Sequence, residues 1–153
     1  MDARFINPVL LSILNVLNTM ANIQPRQGKL SLKTDNNALG AVTGIIDMNG
    51  KQATGSIAIS FSEPAALDIG KRMLHTEFEK VDDQIEDLVG EIANMMAGGA
   101  KANLENDGFD FELSLPNVKS GDGHLVEHSV NGPTIMLPFT TDSGDFFIEI
   151  CFK

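Results

Sequence analysis

Asp87, Glu91, Asn94 and Gly98 recur at i, i+4, i+7 and i+11 inside one long stretch with helical apolar periodicity. At roughly 100° per residue this spacing stacks them in a single row on one side of a helix. Ile85, Leu88, Val89, Ile92, Met95, Met96 and Gly99 cluster on the other side, the face that must be buried. An exposed row of acidic and amide residues is what any solvated helix presents. Two details set this one apart. Asn is a poor residue for the middle of a helix, and Gly90, Gly98 and Gly99 each cost about 1 kcal/mol relative to alanine. Glycines beside an exposed Glu and Asn would let the backbone of another protein approach closely. Taken alone, these residues specify a docking surface.

Other chemistries lack their residues. There is no Gly-x-x-x-x-Gly-Lys-Ser/Thr loop and no Gly-x-Gly-x-x-Gly turn to cradle a nucleotide. His75, His124 and His128 lack metal-ligand spacing and read as solvated surface histidines, so no metal site is expected. Cys151 is followed only by Phe152 and Lys153, so it cannot begin a cysteine-phosphatase loop and reads as a small core residue on a strand. Most of the seven methionines, such as Met73, Met95 and Met96, fall on apolar stripes and read as core filler.

The row has to be positioned by the elements around it. The helix that carries it is capped by Asp82 or Asp83, has Glu86 in its first turn, and is closed by Asn106-Asp107-Gly108. An earlier helix is expected from Asn7-Pro8 to about Met20, and another from Ser62-Glu63-Pro64 to about Leu74. Between them come strands around Leu30 and Leu32, at Val42 to Met48, and at Ile57 to Phe61, the last two joined across Asn49-Gly50. After the long helix, period-2 patterns mark strands at Phe109 to Leu115, Ile135 to Phe139 and Phe146 to Phe152. The last two form a hairpin across Asp142-Ser143-Gly144. The segment from Asn117 to Gly132 reads as polar and irregular, with a short strand at Leu125-Val126. This order predicts an α+β fold with a mostly antiparallel sheet packed against three helices. Both halves run helix then strands, a weak internal pseudo-repeat.

Composition bounds the remaining possibilities. A chain of 153 residues with 42% apolar and 21% charged residues is expected to form a single domain, 1–153, with a core that needs no disulfide or structural metal. Its net charge of −10 repels phosphate backbones and anionic lipid, which excludes nucleic acid and membrane surfaces as partners. Asn7, Ser12, Asn15 and Asn18 interrupt the apolar N-terminal run, so it reads as an amphipathic packing helix rather than a signal or a membrane span. With one cysteine and no targeting signal, the expected location is the cytoplasm.

The stretch Asp87-x-x-x-Glu91-x-x-Asn94, with 21 residues between Asn94 and Pro116, resembles the signature of the CheC/CheX/FliY family, phosphatases of the phosphorylated chemotaxis response regulator CheY. Gly90-Glu91-Ile92-Ala93-Asn94-Met95, Pro116-x-Val118-x-Ser120-Gly121 and the opening Met1-Asp2-Ala3-Arg4 are most similar to the CheX branch. The resemblance spans nearly the whole chain and implies a CheC-like fold. It implies hydrolysis of an aspartyl phosphate on a CheY-like receiver domain, with Asn94 placing the attacking water and Glu91 pairing with the receiver's lysine. Asp87, Gly98 and Pro116 then support the site. No intrinsic cofactor is implied, because Mg²⁺ is expected on the receiver.

CheC-type members carry a second motif copy on their first helix. The matching row here is Leu11-x-x-x-Asn15-x-x-Asn18, with asparagine where glutamate should stand, so one functional site is expected. The CheX branch also implies a homodimer formed by pairing sheets. The alternative to an enzyme is a non-catalytic adaptor of the same fold, which would bind a phosphorylated receiver or the flagellar switch.

Overall fold

The structure, a computed structural model, describes residues 3–153; Met1 and Asp2 of the Met1-Asp2-Ala3-Arg4 opening lie outside the described residues. The elements run α1 (Ala3–Ala21), β1 (Arg26–Gln27), β2 (Ser31–Lys33), β3 (Val42–Gly50), β4 (Thr54–Phe61), α2 (Glu63–Leu74), α3 (Asp83–Glu105), β5 (Phe111–Leu113), β6 (Asn117–Ser120), β7 (Thr134–Thr140) and β8 (Asp145–Phe152). The strands form one sheet in the order β1-β7-β8-β4-β3-β5, with β2 also on β7 and β6 also on β3. Every pairing is antiparallel. The fold is α+β, three helices against an antiparallel sheet.

Alternation along the strands decides which face carries the core. Val42, Gly44 and Ile46 of β3 stand opposite Phe61, Ile59 and Ile57 of β4, and these opposite Phe146, Ile148 and Ile150 of β8. Together with the apolar stripes of α1, α2 and α3 their apolar side chains make one buried cluster. The pseudo-repeat is visible in the pairing: the short strands that follow α1 pair with β7, and those that follow α3 pair with β3. Each half thus lends its edge strands to the hairpin of the other.

The opposite face of the sheet is also covered. Residues 121–133 cross it without regular structure apart from a single bridge between Asn37 and Leu125. Val126 is buried there, and His124 Nε2 lies 2.7 Å from Thr43 Oγ1. His128 lies 2.9 Å from Ser56 Oγ and 3.0 Å from the Glu149 carboxylate, whose other oxygen accepts from Lys33 Nζ at 3.0 Å. The side chains of Lys33, His128 and Glu149 are covered, 6%, 7% and 1% exposed, and His124 is half-buried. Of the histidines read as solvated, only His75 is exposed. His124 and His128 are buttons that hold the crossing segment to the sheet. Nothing in their neighbours in sequence distinguishes that role.

Other departures have local causes. Helix α1 begins at Ala3 and carries Pro8 inside it. Phe5 stacks on Phe152 at 4.6 Å and meets Phe109 edge-on at 5.0 Å, and this aromatic contact holds the first turn despite the bond that proline removes. The β3–β4 hairpin exists, but its turn is Lys51-Gln52, because Asn49 and Gly50 are held in the ladder by Glu112 and Phe111 of β5. The strand expected to reach Leu115 stops at Leu113, and a further strand, β6, lies in the segment expected to be irregular. Between Leu113, opposite Met48, and Asn117, opposite Ile45, the outer strand has one residue more than β3. That extra residue is a bulge. It is pinned by Ser114, whose hydroxyl accepts from the Asp47 N–H at 2.9 Å while its own N–H donates to the Asp47 carbonyl at 3.0 Å.

Candidate functional site

Helix α3 forms because its sequence supplies both ends. The Asp82 side chain accepts from the Ile85 N–H at 3.0 Å, Asp83 and Glu86 lie in the first turn, and Gly108 takes φ +88° just beyond the end. Ile85, Leu88, Val89, Ile92, Ala93, Met96, Ala97, Ala100 and Leu104 are buried. Met95, expected on that face, is half-buried at its margin.

Two of the three helical glycines serve internal packing. A Cβ at Gly99 would collide with Ser12 of α1, whose hydroxyl donates to the Met96 carbonyl at 2.8 Å. A Cβ at Gly90 would stand 3.2 Å from Val118 and 3.7 Å from Pro116. The bulge has carried these two residues over α3, with Val118 opposite Gly44 of β3. Only Gly98 faces open space, so the close approach of a foreign backbone, expected at all three glycines, is available at one.

Between α3 and the Pro116–Val118 strand runs an open groove of about 760 Å³. Asp83, Glu86, Asp87, Glu91 and Asn94 line one side, with Gly90 between them, and Pro116 and Val118 the other. Ser120 Oγ donates to Glu86 Oε2 at 3.1 Å and ties the end of β6 to the helix. Asp87, Glu91 and Asn94 are exposed, and among the described residues their side chains have no hydrogen-bond or ion-pair partner. Four carboxylates and no Lys, Arg or His line the groove, so it attracts a cation presented from outside. Among the described residues no group of His, Cys, Asp or Glu is placed to hold a metal ion.

Asp87, Glu91, Asn94 and Pro116 therefore share one groove, and Gly98 lies beyond its lining. Asp83 and Glu86 line the groove as well, outside the motif residues. Asp83 stands four positions before Asp87, and extending the same row by one turn finds it. The row on α1 has a counterpart depression of about 320 Å³, where Asn15 and Asn18 meet Ile23, Gln24 and Pro25, with no carboxylate on its lining.

A family model described as chemotaxis phosphatase CheX matches residues 42–140. A protein of Thermotoga maritima described as CheY-P phosphatase CheX is 30% identical over 148 residues, spanning 96% of this chain and 94% of its own. The crystal structure of chemotaxis protein CheX from Vibrio vulnificus has a TM-score of 0.91 at 44% identity, covering 99% of this chain and 100% of that one. A CheX–CheY–BeF3–Mg²⁺ complex from Borrelia burgdorferi contains a chain with a TM-score of 0.82 at 24% identity, covering 97% of each chain; what is shared at that identity is the fold. Among the described residues, no helix is long and apolar enough to cross a membrane.

Proposed function

The chain belongs to the chemotaxis phosphatase CheX family, and from that premise we propose that it hydrolyses the aspartyl phosphate of a CheY-like receiver domain. The observation that carries this reading is the pair Glu91 and Asn94, one turn apart, exposed, without partners among the described residues, at the centre of an acidic groove. In the proposed mechanism the groove closes over the receiver's active site. Glu91 accepts a charge-assisted hydrogen bond from the receiver's lysine and fixes the approach of α3. The Asn94 carbonyl holds a water in line with the phosphorus, and an amide does so without adding a full charge beside the phosphoryl oxygens. Asp87 adds to the local negative potential, and Pro116 forms the facing wall. Gly98 leaves room for the receiver beyond the end of the groove. Mg²⁺ belongs to the receiver and neutralises phosphoryl charge there; the complex from Borrelia burgdorferi has both CheY and Mg²⁺.

The proposal takes residues 1–153 as one domain, working in the cytoplasm as a homodimer, which light scattering would check. Its central test is phosphate release from a panel of phosphorylated receivers of the same cell. Accelerated release from one of them supports the reading, and tight binding without acceleration replaces it with the adaptor. Glu91→Lys sets like charges together and is expected to weaken receiver binding by at least about a hundredfold, with the circular dichroism of the parent. Unchanged affinity would remove the anchoring role.

A further inference from the structure

Two leucines stand in water on opposite flanks of the Asp87–Glu91–Asn94 row. Leu115 has 89% of its surface exposed, the most of any large apolar side chain among the described residues. It sits in the bulge between Ser114, whose backbone and hydroxyl are bonded to Asp47, and Pro116, which forms the groove wall. Leu74, at the end of α2, is 43% exposed and lines a depression of about 190 Å³ with Asp87 and Glu91. The acidic groove lies on the β6 side of those two carboxylates and this depression on the α2 side, so the two meet along the row.

A lone exposed leucine is ordinary and assigns nothing by itself. These two are distinguished by position and by how they are held. The alternation Phe109, Phe111, Leu113, Leu115 would turn Leu115 toward the core; the bulge turns it out instead, on a backbone fixed by Ser114 and by the restricted φ of Pro116. An apolar side chain displayed on a fixed backbone loses little freedom when it is covered. Leu74 also adjoins Asp87 and Glu91, whose carboxylates have no partner among the described residues, and Leu115 precedes Pro116 of the groove wall.

We propose that Leu115 and Leu74 are the apolar anchors of receiver docking. The occupant is a receiver domain whose cationic active-site rim is flanked on two sides by apolar side chains; the carboxylates take the charge and the leucines clamp the flanks. This rests on the phosphatase reading and adds to it the surface that selects the partner.

The probe is a CheY-type receiver of the same cell loaded with Mg²⁺ and beryllofluoride, titrated calorimetrically into the parent protein, Leu115→Ser and Leu74→Ser. Leu32→Ser is the control, at a leucine 65% exposed, between the two in openness, on β2 at the far edge of the sheet. Leu115→Ser is expected to raise Kd about tenfold and Leu74→Ser about threefold, following the surface each has left to bury. Leu32→Ser is expected to stay within about twofold. In turnover the loss falls on KM rather than kcat. Affinities of Leu115→Ser and Leu74→Ser within twofold of the parent overturn the anchors and leave the phosphatase reading intact. A parent that binds but releases no phosphate overturns hydrolysis, while the Kd series still decides the anchors. A parent that binds no receiver removes both.

Discussion

Asn94→Ala deletes an amide but no charge and no core contact, since the side chain is exposed and has no partner among the described residues. Alanine is the better helix former, so the melting temperature is expected to hold or rise slightly. Phosphate release is expected to fall on the order of 10² or more if holding the water is the main device, with receiver affinity nearly unchanged. Stopped-flow decay of the phosphorylated receiver measures the first, and calorimetry the second. A rate equal to the parent's would end the water-holding role. At this scale the sequence was informative for a physical reason: helical periodicity alone sets the angle of each residue, so Asp87, Glu91 and Asn94 could be placed on one exposed row. Gly98 lies on the same row, yet the groove ends before it. The groove's other wall comes from Pro116 and Val118, and spacing along a helix says nothing about what stands beside it. The glycines carried half a message in the same way. Their cost announced close approaches, but not that Gly90 meets Val118 and Gly99 meets Ser12.

One extra residue between β5 and β6 converts an edge strand into the wall of the groove. Gly90 is the surface on which that wall rests, so Gly90→Ala tests their union. The new methyl group would sit 3.2 Å from Val118, tight enough to push the strand by a few tenths of an ångström. Helix propensity gains about 1 kcal/mol and the contact takes back a similar amount, so stability is expected to move by less than about 1 kcal/mol. Hydrolysis is expected to fall more, by about five- to tenfold, because Pro116 moves relative to Glu91 and Asn94. Parallel urea denaturation and turnover would check this; equal losses in both would mean that the wall matters only for folding. The bulge was hidden in the sequence because period-2 alternation runs without a break from Phe109 to Leu115. What interrupts it is a serine that bonds to the backbone of Asp47, a partner 67 positions away. The Ser62 and Asp82 caps and the β7–β8 hairpin were legible because their signals lie within a few adjacent residues, whereas α1 starts ahead of Asn7-Pro8 and β5 holds Asn49-Gly50 in the ladder, moving that turn to Lys51-Gln52.

Across the whole molecule, the face of the sheet remote from α3 is held by charge as well as by apolar contact. Lys33, His128 and Glu149 join β2, the 121–133 segment and β8. Glu149→Ala would leave the Lys33 ammonium buried without a counter-charge, and the expected cost is about 3–5 kcal/mol. Replacing Lys33 and Glu149 together with methionine is expected to recover most of that loss. Urea midpoints of the three proteins would check it, and a single substitution costing under about 1 kcal/mol would show that water reaches the pair. The topology has a different outcome for the protein as it is made. β8, the latest strand in the chain, is the one that joins the β3–β4 hairpin to β7. Until it leaves the ribosome, β4 offers an unpaired edge eight residues long, seven of them buried in the finished fold. A nascent chain therefore carries an open apolar template through most of its synthesis, and the yield in cells is expected to track chaperone supply more closely than the stability of the purified protein.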